Sequence, residues 1–263
     1  MFSIRDIAGR VNKSKLSFRN CNSIAPQDAR FLKPSKLCLA REKNIVAWEV
    51  VVIRHLIWDV DGTLFDTYPA IARSFQAAAR DLGAPAAYDE VMRLAQVSVD
   101  HCLTTLSDTY ALPADQLEER FAQHYATVTP EDQPPFAGVE AVCEHICSRG
   151  GLNLIVTHRR RAGLDRLLAT HRLTDYFADI TSNDDAYPRK PDPAAFIALI
   201  ERHQLPREAT LGVGDRDIDI LAAQAAGLRA ALFGTNYGAA TPDFAFTDYS
   251  VFLHKLNNNE LAP

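Results

Sequence analysis

The sequence predicts an α/β protein, a doubly wound parallel sheet that carries a small inserted all-helical block. Three observations point there. Apolar runs rich in β-branched residues alternate with helical patterns across residues 51–58 and 138–233. Four helical patterns with no strand between them, within residues 67–135, interrupt that alternation just after its first strand. Polar clusters rich in carboxylates follow directly on apolar runs at residues 59–63 and 214–219, the edge at which such sheets bind ligands.

Residues 51–58 form the first strand: a continuous apolar run of this kind suits a strand buried on both faces. The helix predicted over residues 69–82 has Pro69 in its first turn. Ile71, Phe75, Ala78, Ala79 and Leu82 share one of its faces, and Gly83 stands at its end. Helical patterns at 88–95, 99–110 and 114–127 complete the inserted block, which Pro130, Pro134 and Pro135 close. A helix at 138–149 then leads through Gly150 and Gly151 to a strand at 152–156. Three further helix and strand pairs follow, at 161–170 and 178–181, 193–203 and 209–213, and 217–226 and 229–233. Short links and right-handed crossovers give the doubly wound order. The expected division is a basic, disordered segment at 1–50, a core at 51–66 and 136–263, and a helical insertion at 67–135.

Composition narrows the function classes. The 263 residues are 47% hydrophobic and 23% charged, ordinary for a chain with a sizeable core. Residues 1–54 hold 11 Lys and Arg against 4 Asp and Glu, whereas the remainder holds 17 against 29, a net charge of −12. That acidic body argues against nucleic-acid binding. The basic front segment lacks the apolar stretch of a secretory signal and the sustained amphipathic pattern of a transit peptide. After Met1 the next methionine is Met92, so the front segment is expected to be either disordered or outside the natural product, with translation starting near residues 50–52. The apolar stretches at 45–52 and 152–156 fall far short of the roughly 20 residues a membrane helix needs, so a cytoplasmic protein without a membrane partner is expected. Five cysteines without a CxxC pair suggest neither a disulfide framework nor a zinc cluster.

The strand ends carry the chemistry. Asp59 and Asp61, at i and i+2, share one side of an extended chain and are followed by Gly62 and Thr63. Thr157, His158 and Arg159 follow the second strand, Lys190 lies in RKPDP, and Asp215 and Asp219 lie one helical turn apart in GDRDID. Four carboxylates converging on one crevice repel one another by several kcal/mol at a dielectric of about 20 unless a cation sits among them. Hard oxygen donors select Mg²⁺ over zinc. Lys190, Thr157 and the amides around Gly62 and Thr63 would add donors for a phosphate group.

Each feature alone has a plainer explanation. A DxDGT stretch reads as a calcium loop only if an acidic or amide residue stands at Thr63, glycine at Leu64 and glutamate at Ala70, and none does. Asp215 and Asp219 taken alone suit the positive end of a helix dipole, and Lys190 alone a solvated surface. Arg159 to Arg161 read more readily as a solvated helix start than as a second anion site, and His101 and Cys102 as packed or surface side chains of the helical block. What separates them from chance is their joint order, each after the appropriate strand.

Taken together, DVDGT at 59–63, Thr157, Lys190 in RKPDP and GDRDID at 214–219 resemble the haloacid dehalogenase-like phosphatases over about residues 54–250. The insertion after Asp66 is similar to that family's type-one helical cap, and FDTYPAI with AAQAAG is similar to its phosphoglycolate phosphatase-like branch. The resemblance implies Asp59 as a nucleophile forming an aspartyl-phosphate and Asp61 as general acid and base. It implies Mg²⁺ held by Asp59, the Asp61 carbonyl and Asp215, with Asp219 a ligand or a partner behind it. Gly62, Thr63, Thr157, the His158 amide and Lys190 would bind phosphate. His158 departs from the asparagine often found there. The implied activity is a Mg²⁺-dependent phosphatase for a small phosphorylated metabolite, as monomer or homodimer. A phosphomutase of β-phosphoglucomutase type, or a silent binding protein, are the alternatives.

Overall fold

The structure, a computed structural model, describes residues 52–234 and 238–261. The basic segment expected to be disordered, residues 1–50, lies outside the described residues. Six strands form one wholly parallel sheet: β1 (His55–Trp58), β2 (Asn153–Val156), β3 (Phe177–Thr181), β4 (Thr210–Gly214), β5 (Arg229–Phe233) and β6 (Phe244–Phe246), in the spatial order β3-β2-β1-β4-β5-β6. The order reverses direction at β1, so the crevice between the ends of β1 and β4 is the topological switch point.

Strand periodicity sorts the core into two layers. Leu56 and Trp58 of β1, Ile155, Leu211 and Val213 face one side, where α5 (Val139–Ser148), α6 (Arg161–Thr170) and α9 (Tyr249–Asn257) cover them. Ile57, Leu154, Val156, Ala230 and Leu232 face the other side, against α7 (Ala194–Arg202) and α8 (Asp217–Ala225). The fully buried Trp58 donates its indole N–H to Asn153 Oδ1 at 3.0 Å, so the largest core side chain also satisfies its one polar atom.

The inserted block is four helices, α1 (Tyr68–Asp81), α2 (Tyr88–Val97), α3 (Val99–Tyr110) and α4 (Ala114–Tyr125), with a core of their own. Ile71, Phe75, Ala78 and Ala79 of α1 meet Val91, Leu106 and Leu117, and the Phe75 and Phe121 rings stack at 3.9 Å. Cys102 is buried in this core, whereas His101 is exposed. The chain leaves and re-enters the sheet through two adjacent segments: Asp66 N–H donates to Pro134 O at 2.8 Å and Phe136 N–H to Leu64 O at 3.0 Å.

Two sequence expectations are corrected. The first strand begins at His55 rather than residue 51, although Arg54 N–H still bonds Ala209 O at 2.8 Å. The sequence reading also stops at residue 233, whereas β6 and α9 follow. β6 is too short, at three residues, to show a period, but α9 carries a signal: Asp248 caps it by accepting from Ser250 N–H at 2.7 Å, and Tyr249, Phe252 and Leu256 face the core. Among the described residues no helix is long and apolar enough to cross a membrane.

Candidate active site

The candidate site lies where β1, β2 and β4 end. Asp59 follows β1 directly and its N–H donates to Val213 O at 2.8 Å, so the sheet ladder itself sets the direction of this side chain. Thr157 follows β2 with its N–H bonded to Thr181 O at 3.0 Å, and Asp215 follows β4. Lys190 arrives from the loop between β3 and α7, and Asp219 lies in the first turn of α8.

Lys190 is a buried ammonium, 5% exposed, that pairs with Asp59 Oδ1 at 2.5 Å and Asp219 Oδ1 at 2.6 Å and donates to Val156 O at 3.0 Å. Two of its protons have hydrogen-bond acceptors, Asp59 Oδ1 and Val156 O, and Asp219 adds an ion pair. Burial alone would lower its pKa, but Asp219 and Asp59 outweigh burial and raise it, so it stays charged. Asp219 is fixed from both ends, because its Oδ2 accepts from Arg216 N–H at 3.1 Å. Gly214 makes room for it: a Cβ there would stand 2.2 Å from the Asp219 Cβ.

Asp59, Asp215 and Asp219 bring carboxylate oxygens within 4.8 Å of one another. Burial raises the Asp59 carboxyl to about 6, against the pull of Lys190 and with a push from Asp219. Burial, then the charges of Asp219 and Asp59, push Asp215 up to about 8. Asp215 is nevertheless held in one orientation, with Thr63 Oγ1 donating to its Oδ1 at 3.1 Å and Tyr68 Oη to its Oδ2 at 2.6 Å. The turn carrying Thr63 needs Gly62, which has φ of +82°, where a Cβ would come within 2.2 Å of the Tyr68 ring and 2.4 Å of the Asp215 carboxylate.

Whether these residues fit a divalent cation can be judged from the site's own chemistry. Asp59 Oδ2 is buried without a hydrogen-bond partner, and three carboxylates share the surroundings of two cations, the Lys190 ammonium and the Arg216 guanidinium. Three carboxylates against two cations leave an anionic charge in excess when all are ionised, and hard oxygen donors of this kind suit Mg²⁺.

The expected convergence of four carboxylates is corrected to three. The Asp61 side chain turns to Arg159, whose Nη2 lies 2.5 Å from Oδ1 and whose Nε donates to both oxygens at 3.2 Å. Asp61 follows the loop rather than an extended strand, so the i, i+2 rule does not carry to its side chain. Burial would raise the Asp61 pKa, but Arg159 prevails and holds it below the usual carboxylate value. The reading of Arg159 as a solvated helix start is corrected with it: its side chain is 12% exposed. Arg160 and Arg161 are exposed, as expected.

His158 is lowered to about 3 by burial and by Lys190 and Arg189, and its Nε2 accepts the Lys190 backbone N–H at 2.9 Å. It is therefore a neutral prop for the lysine loop. Tyr68 and Arg216 escaped the sequence reading. Tyr68 carries a weak signal, a tyrosine directly after the polar loop at the start of a helix, and Arg216 a clearer one, a cation between two acidic residues.

The chain is similar in sequence and fold to known proteins. The family model described as haloacid dehalogenase-like hydrolase matches residues 56–233. Phosphoglycolate phosphatase from Vibrio parahaemolyticus is 30% identical over 218 residues, covering 76% of this chain and 95% of that protein. The enzyme of the same name from Yersinia pestis is 32% identical over 196 residues, covering 72% of this chain and 84% of its own length. A crystal structure of a HAD-superfamily hydrolase, subfamily IA, from Geobacter sulfurreducens has the same fold, with a TM-score of 0.60 at 20% identity, covering 78% of this chain and 96% of that one. With the match spanning more than half of the chain and every acidic motif at the end of its expected strand, this protein belongs to the haloacid dehalogenase-like hydrolase family.

Proposed function

We propose that the protein is a Mg²⁺-dependent phosphomonoesterase acting on a small phosphorylated metabolite through an aspartyl-phosphate on Asp59. The observation that carries this reading is the buried cluster in which Lys190 bridges Asp59 and Asp219 while Asp59 Oδ2 stays without a partner. An aspartate presenting a free oxygen beside a buried ammonium is arranged to attack an anionic electrophile.

Asp59, Asp215 and the main-chain carbonyl of Asp61 would hold Mg²⁺, which when bound supplies positive charge against the phosphoryl oxygens. Asp219, with both oxygens engaged by Lys190 and by Arg216 N–H, serves mainly to hold the lysine. Asp59 Oδ2 forms the bond to phosphorus as the substrate's ester oxygen leaves. Asp61 gives that oxygen its proton and then takes one from the water that cleaves the acyl phosphate. Lys190, Thr157 Oγ1 and the His158 amide stabilise the charge of the transition state; the Gly62 and Thr63 amides, expected to join them, are instead spent within the turn on Phe65 O at 2.9 Å and Val60 O at 3.3 Å. The helices α1–α4, residues 67–135, act as a cap that limits water and selects the leaving group.

The curated relatives make phosphoglycolate the first substrate to test. Steady phosphate release from phosphoglycolate or p-nitrophenyl phosphate in the presence of Mg²⁺ is expected, and Asp59→Asn should abolish it. Undiminished turnover by Asp59→Asn would overturn the nucleophile assignment.

A further inference from the structure

Among the described residues, the Arg216 side chain has no hydrogen bond and no ion pair, and its Nε is buried without a partner. Its backbone, by contrast, is fixed. Arg216 precedes α8 in an extended conformation, with φ of −126° and ψ of 158°; its N–H donates to Asp219 Oδ2 at 3.1 Å and its carbonyl accepts from Asp219 N–H at 3.0 Å. The guanidinium nevertheless lies in the field of the acidic cluster. Burial would lower its pKa, but Asp219, Tyr68, Asp59 and Asp215 outweigh burial and raise it.

The carboxylate oxygens around it are already engaged. Asp59 Oδ1 and Asp219 Oδ1 pair with Lys190, Asp219 Oδ2 takes the Arg216 N–H, and Thr63 and Tyr68 donate to the two oxygens of Asp215. The cluster is left with a buried donor, Arg216 Nε, and a buried acceptor, Asp59 Oδ2, each without a hydrogen-bond partner. Leaving either unmade is costly, so each calls for a partner from outside the chain. A metal cation suits the carboxylate and repels the guanidinium, and a simple anion does the reverse. A phosphoryl group suits both, because it presents an electron-poor phosphorus to the carboxylate and charged oxygens to the guanidinium fork. Room for one is present: a cavity of about 700 Å³, within the range of small-molecule sites, is lined by Gly62, Tyr68, Asp215 and Arg216 and by Met92 and Arg93 of α2.

We propose that Arg216 is a phosphate-binding residue, whose guanidinium donates to an oxygen of the phosphoryl group while Asp59 Oδ2 meets the phosphorus. The proposal rests on the phosphatase reading of the same site. Arg216 gives up no proton and makes no bond; it supplies charge and direction. The sign of the site agrees. Three carboxylates against Lys190 and Arg216 leave one negative charge in excess, and a divalent cation turns that into one positive charge, which attracts the phosphate dianion. Until the anion arrives, Arg216 offsets part of the carboxylate charge from a distance.

The test measures two affinities by calorimetry in the wild type and in Arg216→Met: that of inorganic phosphate in saturating Mg²⁺, and that of Mg²⁺ alone. A hydrogen bond to a charged group contributes about 10- to 100-fold, so the phosphate Kd of the variant should rise at least about tenfold. Its Mg²⁺ Kd should be no weaker than that of the wild type, because a positive charge beside the carboxylates is gone. A general disturbance of the site weakens both ligands together, and that result would overturn the proposal, as would a phosphate Kd within about twofold of the wild type. Turnover adds a second readout: kcat/KM should fall by the same factor on p-nitrophenyl phosphate and on phosphoglycolate. A loss confined to phosphoglycolate would place the guanidinium at the carboxylate of the leaving group and overturn the assignment. Should Arg216→Met fail to fold, Arg216→Lys decides, since it keeps the charge and loses the fork: weaker phosphate binding with unaltered Mg²⁺ binding supports the proposal, and a parallel loss or none refutes it. A wild-type protein that hydrolyses neither ester refutes the phosphatase reading instead, and phosphate binding then still decides the role of Arg216.

Discussion

Replacing Lys190 by methionine removes the ammonium while keeping the volume of the side chain. The lysine lies 2.5 Å from one buried carboxylate and 2.6 Å from another, and all three side chains are 3% exposed or less. At an effective dielectric of about 20, each contact represents about 6 kcal/mol of gross attraction, most of it offset by the desolvation of the charges. What the substitution exposes is the uncompensated remainder, about 3–5 kcal/mol for breaking a buried pair. The loss depends on pH with a definite sign. Burial already lifts Asp59 to about 6 with the lysine present, and without it the carboxyl rises further. A carboxyl whose folded pKa lies above its unfolded one takes up a proton on folding, so stability falls as pH rises between the two values. The deficit of Lys190→Met should be largest near pH 8 and shrink toward pH 5. Urea unfolding followed by tryptophan fluorescence, in EDTA at both pH values, measures it. A deficit below about 1 kcal/mol at pH 8 would refute the reasoning, because it would mean that Lys190 does not hold the two carboxylates. A deficit that grew on acidification would refute it equally.

Three other outcomes follow from the same geometry. Asp215→Asn removes a carboxylate that burial and its neighbours push up to about 8, so in EDTA the variant should be at least as stable as the wild type. Mg²⁺ at 100 times its Kd should stabilise the wild type by about 2.7 kcal/mol and leave the variant unchanged in a thermal melt; equal shifts would remove Asp215 from the metal site. Gly62→Ala meets both a left-handed backbone and atoms 2.2–2.4 Å away, so it should cost at least the 1–2 kcal/mol of the backbone term and most of the activity; a wild-type Tm with full turnover contradicts this. His158, lowered to about 3, binds its proton more readily in the unfolded chain, so stability should fall as pH drops below about 6.5, by up to about 1.4 kcal/mol per unit. His158→Asn should flatten that slope, which denaturant titrations at pH 5 and 7 would measure.

Much of this was legible in the chain because the sheet imposes a simple rule: residues directly after buried strands face one edge. Asp59, Thr157 and Asp215 each follow an apolar run and fall where that rule puts them. Lys190 follows no strand, and its place came from its motif. The side-chain direction of Asp61 was not legible, because the period of an extended strand ends at Trp58 and a tight loop takes over. Arg159 failed for a related reason. Next to two exposed arginines it reads as one of a solvated run, and its burial depends on Asp61, Tyr125 and Gln133, which lie 98, 34 and 26 residues away. Long-range partners of that kind leave no local period.

The central claim is that Asp59 carries the phosphoryl group, and chemical trapping tests it most directly. Asp61→Asn, turning over slowly at its second step, should accumulate the acyl phosphate. Borohydride reduction followed by peptide mass spectrometry should then convert residue 59, and no other aspartate, to homoserine. Finding residue 59 untouched, or the label on another carboxylate, would contradict the account.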